Sequence, residues 1–263
     1  MNITAIIFAA VVVGGVGILI GFFLGVSGEK FKVEVDEREV AVTEALPGNN
    51  CGGCGYAGCS GLAAAIVKGE APVNQCPVGG APVAAKIGEI MGVKAEEGER
   101  KAAFVKCAGT CEKANQAYDY TGITDCQMAA MMQNGGPKGC SFGCLGFGSC
   151  VKACPFDAIH IVNGVAVVDK EACKACGKCV AVCPKHLIEI VPYDQKHLVK
   201  CNSQDKGKAV MQACTAGCIG CKMCEKACKF EAVTVENNIA HIDYEKCKDC
   251  GACAVKCPKK VIS

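Results

Sequence analysis

The chain has 263 residues, and 25 of them are cysteine. A cysteine content this high normally indicates a disulfide scaffold, but such scaffolds are secreted domains shorter than about 80 residues. The formal net charge is only +2 and 51% of the residues are apolar, which excludes a disordered chain and argues against a nucleic-acid binder with a basic face. The thiols are therefore predicted to bind metal rather than one another.

The first feature along the chain is an apolar segment, Ile3–Val26, which runs for 24 residues without a charge. A helix of that length crosses a bilayer. A secretory signal peptide is the alternative, but it has a basic start and a shorter apolar core. Because Lys30 and Lys32 follow the segment, the positive-inside rule places the rest of the chain on the cytoplasmic side. We predict a single-pass anchor in the lipid bilayer of the cell membrane.

The first cysteine module combines three closely spaced cysteines with a fourth one that precedes a proline. Glycines surround these thiols, and a short helix is predicted directly after the third cysteine. A structural zinc site more often shows two separated C-x2-C pairs, so the spacing favours a four-iron cluster. Its predicted ligands are Cys51, Cys54, Cys59 and Cys76.

The strongest pattern in the chain is the run C-x2-C-x2-C-x3-C-P at residues 173–184 and 247–258, which recurs at 218–228 without the proline. In this bacterial ferredoxin run, three cysteines hold one cluster and the fourth ligates the neighbouring cluster. Residues 159–169 and 233–243 alternate like β-hairpins, with turns at Asn163-Gly164 and Asn237-Asn238. The predicted fold is α+β, with two tandem dicluster ferredoxin-like domains behind a small four-iron-cluster domain.

An internal repeat exposes one departure from the ferredoxin pattern. Residues 138–159 align with 212–233, and Phe147 then stands opposite Cys221. The first run therefore lacks its usual second ligand. Cys140 is the predicted replacement, although its counterpart Cys214 lies beside a complete run, which leaves the replacement open.

By the ferredoxin rule, each run gives three cysteines to one cluster and its fourth cysteine to the neighbouring cluster. The two domains then hold four clusters, and the first cysteine module brings the total to five [4Fe–4S] clusters. The predicted ligand sets are Cys140, Cys144, Cys150 and Cys183; Cys154, Cys173, Cys176 and Cys179; Cys218, Cys221, Cys224 and Cys257; and Cys228, Cys247, Cys250 and Cys253. A sixth cluster would draw on the remaining cysteines Cys107, Cys111 and Cys126. The alternative for these three, and for Cys201 and Cys214, is that they are free thiols that pack as small apolar side chains.

A row of such clusters is suited to passing single electrons, and no side chain is predicted to be catalytic. The soluble part has no P-loop and no dinucleotide-binding loop, and its four histidines are interpreted as structural or surface residues. Lysines surround the last domain and could meet an acidic electron carrier, or could form an ordinary solvated face. These lysines are Lys222, Lys226, Lys246, Lys256, Lys259 and Lys260.

The predicted domain organisation follows the cysteine modules. It comprises a transmembrane anchor (1–27), an N-terminal four-iron domain (28–92), a cysteine-containing connector (93–135) and two dicluster ferredoxin domains (136–195 and 196–263). Two alternative functions remain open at this point: an iron–sulfur relay that serves another redox enzyme such as a hydrogenase, and a zinc-binding interaction protein. Neither alternative involves nucleic acid.

The order of these modules resembles the B subunit of the Rnf complex. The resemblance covers essentially the whole chain and is carried by the apolar segment, PGNNCGGCGYAGCSGLAAAI, GCLGFGSCVKACPFDAI and the tandem ferredoxin runs. It implies an electron-transfer subunit of a membrane-bound, ion-translocating ferredoxin:NAD oxidoreductase. Such a subunit would accept electrons from reduced soluble ferredoxin and pass them to the other subunits of the complex.

Overall fold

The computed structural model describes residues 3–30, 36–95 and 98–263. The helices are α1 (Ile3–Lys30), α2 (Glu37–Ala45), α3 (Cys59–Val67), α4 (Gly80–Met91), α5 (Cys126–Ala130), α6 (Ser149–Ala153), α7 (Lys178–Val182), α8 (Gly207–Ala213), α9 (Met223–Ala227) and α10 (Ala252–Lys256). The strands are β1 (Lys101–Val105), β2 (Ile159–Val162), β3 (Val165–Val168), β4 (Ile188–Pro192), β5 (Val233–Glu236) and β6 (Ile239–Ile242). Short helices and two-stranded sheets therefore dominate, as the predicted α+β class requires.

The apolar segment forms most of α1, and its large side chains, such as Phe8, Phe22 and Phe23, are exposed. Within the ranges that the structure describes, no helix is found to be long and apolar enough to cross a membrane. The membrane span over Ile3–Val26 therefore stays a prediction. Lys32, which contributed to the predicted sidedness, lies outside the described residues.

Residues 36–95, which we call the N-terminal module, fold around a small core of their own. Val42 of α2, Leu62 of α3 and Ile87 of α4 are fully or almost fully buried in it. The helix predicted after the third cysteine is confirmed as α3, which begins at Cys59 itself. The chain leaves this helix through Gly69, whose φ of +76° lies in the left-handed region that favours glycine.

Both predicted hairpins are confirmed. β2 pairs with β3 and β5 with β6, in each case antiparallel. The turn residues Asn163 and Gly164 have φ values of +49° and +75°, while Asn237 and Asn238 have +48° and +64°. Two consecutive residues with positive φ make a type I′ turn, which the Asn-Gly and Asn-Asn sequences favour because these residues tolerate left-handed backbone.

The predicted connector contributes a strand to the fold that follows it. β1 pairs antiparallel with β4, so that Val105 faces Ile188, and in the second half of the chain Val199 forms the corresponding bridge with Ile262. We call residues 101–192 the first repeat and residues 198–262 the second repeat. Each repeat thus begins with a strand segment that lies against the end of the same repeat.

The two repeats have separate cores and meet through a small apolar cluster. Ile159 and Leu187 are buried in the first core, and Val233 and Ile239 in the second. Phe104, Val191 and Leu198 form the cluster between the repeats, and Tyr244 packs against it. This contact holds the cysteine loops of the two repeats close to each other.

Candidate metal centres

The N-terminal module gathers its four cysteines at one end of α3. Cys54, Cys59 and Cys76 all pack against the core of the module. The backbone N–H of Cys59 donates to Asn50 Oδ1 at 2.8 Å, and the N–H of Gly79 donates to Cys76 Sγ at 3.4 Å. Burial raises the pKa of the Cys76 thiol, and the nearby Cys51 and Cys54 add to this effect. Cys51 and Cys54 are therefore neighbours of Cys76, and Cys59 packs against the same core.

The second repeat contains two cavities, each of which is lined by four cysteines. The larger encloses about 370 Å³ and the smaller about 310 Å³. The larger is lined by Cys218, Cys221, Cys224 and Cys257, and the smaller by Cys228, Cys247, Cys250 and Cys253. These are the two cysteine sets that the ferredoxin rule predicts for this part of the chain, with the last cysteine of each run crossing to the other cavity.

The first repeat also contains two four-cysteine cavities, and one of them differs from the prediction. The cavity of about 300 Å³ is lined by the predicted set Cys154, Cys173, Cys176 and Cys179. The cavity of about 360 Å³ is lined by Cys126, Cys144, Cys150 and Cys183. Cys126 thus occupies the place that the sequence analysis gave to Cys140.

Hydrogen bonds explain why Cys126 reaches this cavity. Asp125 caps the N-terminus of α5 by accepting from the N–H groups of Gln127 and Met128. The Ser149 hydroxyl donates to Asp125 Oδ2 and accepts from the N–H of Cys126, both at 2.9 Å. Because Ser149 is also the first residue of α6, these bonds place Cys126 beside Cys150. Meanwhile the ring of Phe147, where a ligand is usual, packs on Tyr120 with 5.2 Å between the centroids.

Cys140 lies in a fifth cavity, between the two repeats. This inter-repeat cavity, which is partly open to solvent, has a volume of about 430 Å³, and the cysteines that line it are Cys107, Cys140, Cys201 and Cys214. Cys107 and Cys126, two of the three cysteines considered for a sixth cluster, line different cavities. Cys111 is exposed, and its N–H donates to the carbonyl of Asn163.

Some of the buried thiols that line the cavities are poor acids in the absence of metal. Burial raises the pKa of Cys150 to about 12 and those of Cys179, Cys201 and Cys224 to about 11. A thiol with such a pKa is protonated at neutral pH, whereas the thiolate is the form that binds metal. Metal binding must therefore release these protons, and the bound metal must supply the charge that stabilises the thiolates.

The placement of the thiols also bears on which metal group fits. Among the residues that the structure describes, no three His, Cys, Asp or Glu side chains converge on a point where they could hold one metal ion. In a zinc site all four thiolates bind the same ion, each at about 2.3 Å, so that the four sulfurs lie close together. A four-iron cluster instead offers each thiolate a different iron at a corner of the cluster. Each of these cavities is lined by four cysteines, the number of thiolates that a [4Fe–4S] cluster needs.

Comparison with protein families supports the same interpretation. A family described as a putative Fe–S cluster domain matches residues 46–78, which include the cysteines of the N-terminal module. Families described as 4Fe–4S dicluster domains match residues 136–184, 172–232 and 217–261. The chain therefore carries 4Fe–4S dicluster domains over residues 136–261 and a match to an Fe–S cluster family at residues 46–78.

Similar proteins cover nearly the whole chain. One is the B subunit of the Na⁺-translocating ferredoxin:NAD⁺ oxidoreductase complex of Acetobacterium woodii, 49% identical over 99% of this chain and 78% of the relative. Another is the B subunit of the ion-translocating oxidoreductase complex of Methanosarcina acetivorans, 45% identical over 98% of both chains. The chain belongs to this B-subunit family. A third member, the B subunit of the proton-translocating ferredoxin:NAD⁺ oxidoreductase complex of Clostridium ljungdahlii, is 42% identical over 98% of this chain. The resemblance to the Rnf complex is thereby confirmed.

The cavities group Cys126 and Cys140 with other cysteines than the sequence analysis did. Cys126 lies ten positions before the first residue of the 136–184 match, and no spacing rule connects it with the ferredoxin run. A signal for the partners of Cys140 did exist in the sequence. Cys140 and Cys214 are repeat equivalents, and Cys107 and Cys201 close the similar segments Phe104-Val-Lys-Cys and Leu198-Val-Lys-Cys.

Proposed function

We propose that this chain is a multi-cluster electron-transfer subunit of an ion-translocating ferredoxin:NAD oxidoreductase complex. The observation that carries the proposal is the succession of four-cysteine cavities along the chain, in a member of the B-subunit family. Bound [4Fe–4S] clusters supply one-electron redox chemistry. The chain's own residues surround each cavity with four cysteines and with apolar side chains.

The proposed ligands follow the cavities. The N-terminal cluster uses the four cysteines predicted for it, and the second repeat uses its two predicted sets. In the first repeat, Cys126 replaces Cys140 in one set, and the other set is unchanged. The proposed sets in the first repeat are therefore Cys126, Cys144, Cys150 and Cys183, and Cys154, Cys173, Cys176 and Cys179.

Backbone N–H groups aimed at the sulfurs support this role. Ala103 and Ala175 donate to Cys173 Sγ at 3.3 and 3.4 Å, and Asp249 and Val261 donate to Cys247 Sγ and Cys257 Sγ at 3.4 Å. Each such bond favours the thiolate over the thiol and tunes the reduction potential of a bound cluster. Because these donors belong to the backbone, they keep their positions as electrons arrive and leave.

We place the entry of electrons at the second repeat. Cys221 and Cys250 are exposed there, and each has an exposed lysine within two positions, Lys222 or Lys248. Electron transfer requires a close approach of donor and acceptor, so exposed ligands mark the clusters that an external carrier can reach. A positive rim of this kind steers an acidic carrier, such as a soluble reduced ferredoxin, towards the exposed clusters.

We further propose that Ile3–Val26 anchors the chain in the cell membrane as a single span, with the cysteine-rich part on the cytoplasmic side. The uncharged run of 24 residues and the exposed apolar side chains of α1 support this anchor. The full chain should stay with the membranes after an alkaline carbonate wash, and protease added to inverted vesicles should cleave it. Release into the wash would contradict the anchor, and protection from the protease would contradict the sidedness.

Anaerobic purification of the full chain, followed by mixing with reduced ferredoxin, tests the electron-transfer role. We expect a brown protein whose visible absorbance falls as the clusters accept electrons. A colourless protein that holds zinc and remains folded would contradict the proposal. A brown protein that ferredoxin does not reduce would still agree with an electron-transfer role, but it would contradict ferredoxin as the electron donor.

A further inference from the structure

We propose that the inter-repeat cavity holds a further [4Fe–4S] cluster, ligated by Cys107, Cys140, Cys201 and Cys214. The proposal rests on the electron-transfer function above and adds a centre that the ferredoxin runs do not predict. Each repeat supplies two of the four cysteines that line the cavity. This centre would therefore belong to neither repeat alone.

The same backbone contacts build both halves of the site. Lys106 N donates to the carbonyl of Leu187 at 2.7 Å, and in the second repeat Lys200 N donates to the carbonyl of Val261 at 2.8 Å. These bonds attach the residue before each cysteine to the end of its own repeat. Cys107 and Cys201 thereby take equivalent positions at the cavity.

The sulfurs of these two cysteines also accept equivalent hydrogen bonds. Cys144 N donates to Cys107 Sγ at 3.4 Å, and Cys218 N donates to Cys201 Sγ at 3.3 Å. A second donor reaches each sulfur, from Gly109 N at 3.4 Å in the first repeat and from Ser203 N at 3.5 Å in the second. A buried free thiol does not require two N–H donors, whereas a cluster-bound thiolate is stabilised by them.

The other two cysteines are held across the repeat boundary by one extended segment, residues 113–117. Asn115 N donates to the carbonyl of Ala213, next to Cys214, at 2.9 Å. The carbonyl of Asn115 accepts from Gly139 N, next to Cys140, at 2.7 Å. One residue therefore fixes the spacing between Cys140 and Cys214.

The charge of the cavity wall suits an anionic group. A [4Fe–4S] cluster with four thiolates carries about −2 when oxidised. Three lysines contribute to the wall, and no Asp or Glu is found in the described lining. Lys138 is only 9% exposed, and its Nζ donates to the carbonyls of Gly109 and Gly164, both at 2.8 Å. Burying an ammonium group is costly unless an opposite charge lies close to it, and a cluster would supply that charge.

The position of the site would also complete the path between the repeats. Cys144 and Cys218, which donate to its sulfurs, line the neighbouring cavities of the first and second repeats. Each transfer moves one electron, so that the donor centre is oxidised by one unit and the acceptor reduced by one unit, with no bond made or broken. Electrons that enter the second repeat would cross this site on their way to the first repeat.

Iron and acid-labile sulfide counts on the anaerobically purified full chain test the site. With it, the protein should hold about 24 irons, and without it about 20, because each cluster contributes four. Cys201→Ala and Cys214→Ala should each lower the iron content by about one sixth and remove one component from the EPR spectrum of the reduced protein. Cys111→Ala is the matched control and should change neither.

The counts separate this inference from the proposed function. About 20 irons in the unsubstituted protein, with reduction by ferredoxin intact, would overturn the inter-repeat cluster alone. Unchanged iron in both Cys201→Ala and Cys214→Ala would also overturn it. If the variants do not fold, the iron count of the unsubstituted protein still shows whether the inter-repeat cluster is present. Absence of iron from the folded protein would overturn the proposed function as well.

Discussion

The two repeats share one plan but differ in how their ligand positions are covered. In the second repeat Cys221 and Cys250 are exposed. In the first repeat the position equivalent to Cys221 is Phe147, which packs on Tyr120, and the cysteine of that set comes from the connector instead. The equivalent of Cys250 is Cys176, which is half-buried and lies against the N-terminal module.

Gly53 makes that second contact. A Cβ on Gly53 would lie 2.8 Å from the carbonyl oxygen of Cys176, so the two backbones touch and only glycine fits. In the first repeat these two positions are thus covered, one by the packing of Phe147 on Tyr120 and the other by the N-terminal module, while in the second repeat both cysteines are exposed. We infer from this difference that one repeat is built to receive electrons from outside and the other to pass them along inside the protein.

The largest expected effect comes from removing the ligand that the connector supplies. Cys126→Ala should cost the first repeat one cluster, or convert it to a three-iron form, and so lower the iron content by up to about four. Adding Phe147→Cys should restore the cluster, because position 147 is equivalent to Cys221 and is followed by left-handed backbone in both repeats, at Gly148 and Lys222. Iron analysis and EPR spectra of both variants measure the outcome.

Cys221→Ala is the matched change in the second repeat and should cost one cluster there. If Cys126→Ala keeps its full iron content and spectrum, the assignment of Cys126 is wrong. Loss of the same EPR component in Cys140→Ser and Cys126→Ala would return Cys140 to the first repeat, as the sequence analysis predicted.

An intermediate effect is expected from reversing charge at the open repeat. Lys222→Glu combined with Lys248→Glu should slow reduction by ferredoxin about tenfold at low ionic strength, and the difference should shrink as salt is added. Lys174→Glu is the control, because Lys174 is also exposed and holds the position in the first repeat that Lys248 holds in the second. Stopped-flow mixing measures the rate. If Lys174→Glu slows reduction by ferredoxin as much as the double variant does, the assignment of the entry site to the second repeat is contradicted.

The smallest effect concerns the contact between the repeats. The Tyr244 hydroxyl donates to Glu189 Oε1 at 2.7 Å across the boundary, and burial is the main cause that raises the pKa of Tyr244. Tyr244→Phe should lower the stability of the full chain by about 1 kcal/mol, the usual contribution of one such bond. Urea-induced loss of visible absorbance under anaerobic conditions reports this change.

Tyr120→Phe provides the comparison for that change. Its hydroxyl donates to the carbonyl of Ile123 at 2.9 Å within an exposed loop, where water replaces a lost partner. We expect Tyr120→Phe to lower the stability of the full chain much less than Tyr244→Phe does. A larger shift for Tyr120→Phe would show that the connector, rather than the boundary between the repeats, limits the stability of the protein.

Local sequence patterns predicted the parts of the fold that local physics determines. The hairpin turns at Asn163-Gly164 and Asn237-Asn238, and the helix after the third cysteine, depend on residues next to one another in the chain. The ferredoxin spacing placed the cysteines of the second repeat in the two cavities that the structure contains. The sequence offered Cys126 only as a candidate for a sixth cluster, because its place beside Cys150 depends on hydrogen bonds through Ser149, 23 residues further on.

The inter-repeat cavity shows a different limit. Its four cysteines come from both repeats, so no window of sequence contains the pattern. The β1–β4 pairing, the equivalent contact of Lys200 N with the Val261 carbonyl and the segment 113–117 bring them together. Spacing rules describe sites within a repeat, whereas tertiary contacts create sites between repeats.

Anomalous scattering at the iron edge, on crystals of the protein with its clusters bound, would locate every metal centre and its ligands in one measurement. We expect six four-iron peaks, one beside each set of four cysteines, including one with Cys126 in the first repeat and one between the repeats. Zinc ions at the cysteines would contradict the electron relay, and a first-repeat cluster that is bonded to Cys140 while Cys126 stays free would contradict the ligand sets proposed for it.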